Sequence, residues 1–164
     1  SNTAGCIINE KVWFGPCYFG FFEAWTSCDG LLVTVDTIQD FTEFKFRGGH
    51  YSEGFEELES VDILIRLKSK KISNFYELQA LIGSEWKIDG ENVVADLQND
   101  GESLILCETG FQNQTGNIFF RSNGANHKAF AGTFGFSDRS ACGSNDVFYG
   151  RFDYEIAKVV FSVR

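Results

Sequence analysis

The sequence is poor in the residues and motifs that mark common catalytic and metal sites. It has two histidines, His50 and His127, and no cysteines in a CxxC spacing. A multi-histidine metal site, a structural zinc site and a thioredoxin-type redox site therefore lack support. The motifs GxGxxG, GxxxxGK[ST], GxSxG and HExxH do not occur. Both histidines lie in loop-like sequence and are interpreted as surface residues, and we expect a protein that is not an enzyme.

Basic residues and long apolar runs are also scarce. Fourteen Lys and Arg against 23 Asp and Glu give a formal net charge of −9. Such a field repels nucleic acid and anionic lipid headgroups, so neither is an expected partner. The longest uncharged apolar run, from Val12 to Phe22, has 11 residues and is interrupted by Gly15-Pro16. It is too short for a membrane span. The many carboxylates are interpreted as solvated surface, with a sugar-acting hydrolase as the less favoured alternative because glycosidases need only two of them.

Alternating strand patterns dominate what remains. Eighteen Phe against one Pro and no Met favour β structure. In "VDILIRLK" the apolar residues Val61, Ile63, Ile65 and Leu67 alternate with polar ones, as in a half-buried strand. Further strand candidates are "FTEFKFR", "LLVTVDT", "ENVVADLQ", "ESLILCE", "GNIFFRS" and "KAFAGTFGF", separated by turn sequences such as "NDG". The chain 1–164 is therefore predicted to be a single all-β domain, an antiparallel β-sandwich of jelly-roll type or a barrel.

Two local features refine this fold. A short helix is predicted near residues 74–82, where Asn74 and Glu77 form a capping-box-like pair and Gly83 ends the helical spacing. A second short helix is a weaker expectation over Glu53 to Leu58. Near the C-terminus the alternating apolar residues have even numbers from Phe148 to Ile156 and odd numbers from Val159 to Val163. A strand cannot change faces without an extra residue, so a β-bulge or strand break is predicted near Ala157.

Cysteine usage indicates an oxidising environment. The five cysteines are candidates for disulfides or an intermolecular bridge, and the odd number leaves one without an internal partner: Cys6, Cys17, Cys28, Cys107 and Cys142. Asn113 begins the glycosylation sequon Asn-Gln-Thr in a Gly- and Asn-rich segment. The chain also begins at Ser1 without an initiator Met, as a processed chain would. We therefore expect a secreted, extracellular glycoprotein.

The N-terminal segment 1–28 is the most aromatic and cysteine-rich part of the chain. A reversal at Asn9-Glu10-Lys11 would bring Cys6 close to Cys17. Three interpretations are open: a disulfide-bonded strand in the core, an arm that adds to a neighbour's sheet, or the wall of a ligand site. For the ligand site, the candidate stacking residues are Trp13, Trp25 and Trp86.

These interpretations give two functional hypotheses. The leading one is a structural or adhesion subunit that self-associates through segment 1–28, or binds another extracellular protein. The alternative is a lectin-like module that binds a glycan. No cofactor is expected, with calcium as the one candidate. Its expected ligands are the loop residues Asp89, Glu91, Asn99 and Asp100.

Overall fold

The computed structural model describes residues 3–15, 30–51, 57–108, 110, 113–121, 128–140 and 142–164. Its strands in chain order are β1 (Thr3–Ile8), β2 (Lys11–Gly15), β3 (Leu32–Asp36), β4 (Phe41–Phe46), β5 (Gly49–Tyr51), β6 (Glu57–Ser60), β7 (Asp62–Lys68), β8 (Glu85–Lys87), β9 (Val93–Asn99), β10 (Glu102–Ser103), β11 (Gln114–Phe120), β12 (Ala129–Ser140), β13 (Gly143–Glu155) and β14 (Val160–Val163). The helical elements are α1 (Phe75–Gln79) and a single 3₁₀ turn (Ile156–Lys158).

The strands form two sheets. Sheet A has eight strands in the order β6-β5-β2-β1-β13-β12-β11-β8, and sheet B has six in the order β10-β9-β7-β4-β3-β14. All paired strands are antiparallel except β14, which runs parallel to β3. The all-β sandwich with one short helix is therefore confirmed, and the strictly antiparallel character is corrected at this one edge. The parallel pair arises because the chain crosses from sheet A to sheet B between β13 and β14.

The core lies between the sheets, and most of its largest fully buried side chains are phenylalanines. Sheet B contributes Phe44 and Phe46, and both are completely buried. The Phe44 ring centroid lies 5.4 Å from that of Phe120 in sheet A, and the Phe46 centroid lies 5.2 Å from that of Phe134. These offset contacts between large rings explain the Phe-rich composition, since each ring buries much apolar area.

The N-terminal strands form a hairpin within sheet A. Asn9 and Glu10 adopt positive φ angles of 48° and 70°, which suits a two-residue turn. The predicted reversal at this point is confirmed. β1 pairs with β2 on one side and β13 on the other, and β2 also pairs with β5. Residues 3–15 are therefore an integral part of the sheet and not a free arm, while residues 16–28 of the segment lie outside the described residues.

The predicted helix is confirmed over its first part. Asn74 caps it by accepting a hydrogen bond from the Glu77 N–H (2.9 Å), and the Asn74 amide donates to the Glu77 carboxylate (2.7 Å). The helix ends at Gln79, and Gly83 follows with φ at +88°. The second helix is wrong where it can be checked, because Glu57 and Leu58 belong to β6. Residues 52–56 lie outside the described residues.

The strand predicted over "ESLILCE" is also largely wrong. Only Glu102 and Ser103 form a strand, and the Ser103 hydroxyl then accepts hydrogen bonds from the N–H groups of Ile105 (3.3 Å) and Leu106 (2.9 Å). A short polar side chain that binds nearby backbone in this way turns the chain away from the ladder. The alternation in this segment thus reflects burial of Ile105 alone.

The C-terminal strand break near Ala157 is confirmed. β13 ends at Glu155, the 3₁₀ turn Ile156–Lys158 follows, and β14 then joins the opposite sheet. The change in apolar parity therefore records a change of sheet. A β-bulge lies earlier in β13, where Tyr149 has a φ of +57° and the pairing with β1 and β12 shifts register.

Candidate functional site

A cleft of about 410 Å³ opens on the outer face of sheet A. Its lining comes from β1, β2, β12, β13 and the residue that follows β11: Thr3, Ala4, Gly5, Phe14, Arg121, Gly132, Thr133, Arg151, Phe152 and Asp153. Thr3, Arg121, Thr133 and Arg151 are exposed, whereas Ala4, Gly132 and Phe152 are buried. The exposed side chains therefore form the walls, and the backbone of the buried residues forms the floor.

Strand register brings the cleft residues together in two neighbouring rows. In the first row Arg151 lies between Gly5 and Thr133, and Gly5 in turn lies opposite Phe14. In the second row Asp153 lies between Thr3 and Ala131. The Arg121 N–H donates to the carbonyl of Ala131 at 2.9 Å, which holds Arg121 at the end of this row.

The cleft differs in charge from the rest of the protein. Among the described residues that line it, Arg121 and Arg151 are the two cations and Asp153 is the one anion. Formal charges therefore sum to +1 in the cleft, against −9 for the whole chain. Arginine presents a planar fork of donors that matches a carboxylate, and the Thr3 and Thr133 hydroxyls both donate and accept. This donor-rich set suits a polar ligand that carries an anionic group.

Gly5 determines the depth of the cleft. It lies between the side chains of Phe14 and Arg151, where any larger residue would rise from the floor. Among the described residues, a Cβ atom built at this position meets only the Trp13 carbonyl oxygen, at an ordinary contact distance of 3.7 Å. The backbone would therefore accept a larger residue here, and glycine instead leaves open space above the sheet.

The two described tryptophans among the predicted stacking residues, Trp13 and Trp86, do not line this cleft. Trp13 is completely buried, and its Nε1–H donates to the Val61 carbonyl at 2.7 Å. Its assignment as a ligand residue is wrong, because β2 turns this side chain into the core. Trp86 is half-buried at the edge of the core, its Nε1–H donates to the Ser84 hydroxyl, and Lys70 Nζ lies 5.1 Å from its ring centroid. Trp25 lies outside the described residues.

The three described cysteines are divided between a disulfide and a buried thiol. Cys107 and Cys142 form a disulfide, with Cα atoms 5.9 Å apart. Cys6 is free and buried, so its expected bridge to Cys17 is not formed. The reason is register, since the hairpin places Cys6 opposite Trp13. Burial raises the pKa of the Cys6 thiol to about 12. Cys17 and Cys28 lie outside the described residues.

His50 is buried and not a surface residue as the sequence suggested, because β5 is paired on both sides in sheet A. Its Nδ1 lies 2.8 Å from the Val12 carbonyl oxygen, a hydrogen bond that requires the proton on Nδ1. With its cross-strand partner Glu59 it lines a smaller cavity of about 120 Å³. His127 lies outside the described residues.

The calcium candidates do not converge. The Asp89 carboxylate accepts hydrogen bonds from the N–H groups of Glu91, Asn92 and Val93 at 2.8–3.1 Å, and these bonds lower its pKa. Asp89 thus serves as a turn residue. Within the described ranges, no three His, Cys, Asp or Glu side chains form a group that could hold a metal ion.

The sequon residue Asn113 is accessible. Asn113 and Thr115 are both exposed, and Asn113 immediately precedes β11. Its positive φ of 60° is typical of asparagine in a turn.

Sequence reasoning missed Arg121, Thr133 and Arg151 as site residues. The available signal was weak, namely the outward position of Arg151 and Asp153 in an alternating strand. Nothing in the local sequence indicates which strands lie beside them.

Among the described residues, no helix is long and apolar enough to cross a membrane. No family model matches the chain, and no curated protein or solved structure is detectably similar to it.

Proposed function

We propose that the protein is an extracellular, lectin-like binding module that holds an acidic oligosaccharide in the outer cleft of sheet A. The observation that carries this proposal is that Arg121 and Arg151 both line one cleft of about 410 Å³ on a chain of net charge −9. The size is within the usual range for small-ligand sites.

The chemistry of the lining supports a saccharide with a carboxylate. An arginine guanidinium binds a carboxylate through two parallel hydrogen bonds. Thr3, Thr133 and Asp153 supply hydroxyl and carboxylate groups for sugar hydroxyls. The Phe14 ring at the end of the first row supplies an apolar surface for the C–H face of a sugar ring.

Binding is better supported than hydrolysis. Glycoside hydrolysis normally uses two carboxyl groups on either side of the scissile bond. Among the described residues that line the cleft, Asp153 is the one acidic side chain. A single carboxylate beside two arginines suits recognition.

Binding is also better supported than assembly through the N-terminal segment. Strand addition requires an edge, and β1 and β2 are interior strands of sheet A. The buried position of Cys6 makes it unsuitable for a bridge between molecules. The structural or adhesion role remains an alternative proposal for residues 16–28, which lie outside the described residues.

Two observations support the extracellular setting. The Cys107–Cys142 disulfide is typical of an oxidising compartment. Asn113 is exposed in a turn, where a glycan could be attached without disturbing the sheets.

The test is a glycan array that contains matched neutral and carboxylate-bearing oligosaccharides, followed by calorimetry with the strongest binder. We expect binding to acidic glycans that weakens as salt is raised, because surface charge interactions are screened. Arg151→Ala should weaken binding by about tenfold or more, the scale of one lost charged hydrogen-bonded contact.

Two further variants test the place of binding. Gly5→Leu should block the cleft while retaining every charge, and it should abolish binding. Arg139→Ala is the matched control, because Arg139 lies on β12, pairs with Asp146 and does not line the cleft. An array without any bound acidic glycan would overturn the proposed function. Binding that Gly5→Leu leaves intact would place the ligand elsewhere.

A further inference from the structure

Among the described residues, the backbone groups on the outer edge of β14 have no hydrogen-bond partner. The N–H groups of Val160 and Arg164 donate to carbonyls at Leu31 and Val35, on the β3 side. Because these groups alternate along a strand, the N–H and C=O of Phe161 and Val163 point away from β3. β14 is the last strand of sheet B in the described part of the chain. Val163 is 65% exposed, so its side chain is accessible at this edge, and no described strand pairs with β14 on this side.

β14 also differs from the other described edge strands in carrying no charged side chain within its four residues. The other described edge strands carry charged side chains, namely β6 with Glu57 and Glu59, β8 with Glu85 and Lys87, and β10 with Glu102. β14 reads Val-Phe-Ser-Val, without a charge or a proline. Natural sheets place charge, proline or a bulge on edges that must not pair. The four residues of β14 contain none of the three, and the first charged side chain on this edge is Arg164, directly after the strand, so the strand itself is suited to pairing.

We propose that two copies of this chain pair through antiparallel β14 strands, about a two-fold axis at Ser162, to form one continuous sheet. In this register Phe161 of each copy lies opposite Val163 of the other, and each such pair exchanges both backbone hydrogen bonds. Ser162 then lies opposite its own symmetry mate. This interaction is independent of the saccharide cleft.

The side chains of β14 are self-complementary in that register. Phe161 packs against the core and Val163 follows it on the same face, so apolar side chains meet apolar side chains across the axis. On the other face Arg164 lies opposite Val160. Arg164 is already held by Glu43 at 3.1 Å, so no like charges meet across the strands. These features select a second copy as the partner.

Analytical ultracentrifugation of the full chain tests the proposal. We expect the mass to rise with concentration from 18.4 kDa to twice that value. Raising the salt should favour the dimer, because two copies of net charge −9 repel one another. Val163→Lys should weaken the dimer by about tenfold or more, since it adds a charge to the paired edge.

Val12→Lys is the matched control, because Val12 is also 65% exposed but lies on an interior strand. It should leave the dimer intact. Ser162→Cys provides a second, independent test. Opposed residues of a non-hydrogen-bonded pair lie close enough for a disulfide, so this variant should form a cross-link mapped to position 162 under mild oxidation. A native chain that stays monomeric at all concentrations would overturn the proposal. A dimer that Val163→Lys leaves unchanged, and that Ser162→Cys does not cross-link, would also overturn it.

Discussion

Cys6 and Trp13 lie directly opposite each other across the β1–β2 hairpin, with both side chains in the core between the sheets. The Trp13 indole extends from there to donate a hydrogen bond to the Val61 carbonyl at 2.7 Å. One short hairpin therefore supplies both a large apolar side chain and a polar link to the segment between β6 and β7. The N-terminal hairpin therefore stabilises the fold, and this role does not depend on binding a ligand.

Trp13→Phe should lower the free energy of unfolding by about 2–4 kcal/mol. The variant loses buried area, leaves a cavity and removes the donor to the Val61 carbonyl. Urea unfolding at neutral pH measures the loss. Trp86→Phe is the control, because Trp86 is only half-buried and donates to the nearby Ser84 hydroxyl. Equal losses in the two variants would contradict a special role for Trp13.

The burial of Trp13 is a feature that the local sequence does not determine. The sequence places it in an aromatic segment that suits a core strand or a ligand wall equally well. The side chain is buried because β2 lies between β1 and β5 and faces sheet B. Those partners are set by contacts with residues far along the chain. By contrast, the Asn74–Glu77 cap and the Asn9-Glu10 turn are local, and the sequence predicts both correctly.

In the C-terminal part of the chain, the sequence likewise predicts one feature, the strand break, and does not predict the other, the bulge. The break near Ala157 is visible because apolar side chains on either side of it have opposite parity. The bulge at Tyr149 is not visible, because Gly150 has no side chain to show which face it occupies. The cleft is even harder to predict from the sequence, because Gly5 and Arg151 are neighbours only through the pairing of β1 with β13.

The buried Cys6 thiol predicts a stability that falls at alkaline pH. Its folded pKa of about 12 is above the ordinary value of 9.0. The unfolded state therefore loses this proton first, and stability falls as the pH rises from 9.0 towards 12. Cys6→Ala should reduce this decline in urea unfolding measured across that range. Burial also raises the pKa of Tyr154, so part of the decline should persist. An unchanged slope in Cys6→Ala would contradict the prediction.

The raised pKa of Asp96 predicts a second loss of stability with rising pH, this time in the acidic range. Burial raises its pKa above the ordinary 3.8, against the opposing effects of hydrogen bonds from Ser103 and Gln98 and of the Arg66 charge. The neutral form is therefore favoured in the fold, and its contribution to stability is lost as the pH rises through the folded pKa.

Asp96→Asn should accordingly raise the free energy of unfolding at neutral pH. Asparagine stays neutral, its carbonyl oxygen can still accept from the Ser103 hydroxyl, and its amide can donate to Gln98 once the Gln98 amide is turned to present its oxygen. Urea unfolding at neutral pH and below 3.8 should show a gain that is largest at neutral pH. Asp146→Asn is the control of opposite sign, because hydrogen bonds from Ser137 and Arg139 lower the pKa of Asp146. A gain in both variants at neutral pH would contradict the assignment.

The Cys107–Cys142 disulfide should contribute about 4 kcal/mol to stability on the chain-entropy estimate, because it closes a long loop. The bridged residues are 35 positions apart and connect the segment before β11 to the turn between β12 and β13. The double variant Cys107→Ser, Cys142→Ser removes this bridge alone, whereas a reductant would act on every disulfide. Its thermal unfolding midpoint should fall well below that of the native chain. An unchanged midpoint would mean that the unfolded chain is not constrained by this link.

Tyr149→Gly should stabilise the protein by about 1 kcal/mol, although it removes an aromatic side chain. Tyr149 is 82% exposed and holds a φ of +57°, a left-handed conformation that glycine adopts without steric cost. The neighbouring residue Phe148 is the control: it is 49% exposed, its φ is not positive, and it lies opposite Ile7 of β1. Phe148→Gly should therefore lower the free energy of unfolding in the same urea measurement. If both variants lose stability, the Tyr149 ring contributes more through its contacts than the bulge costs in backbone strain.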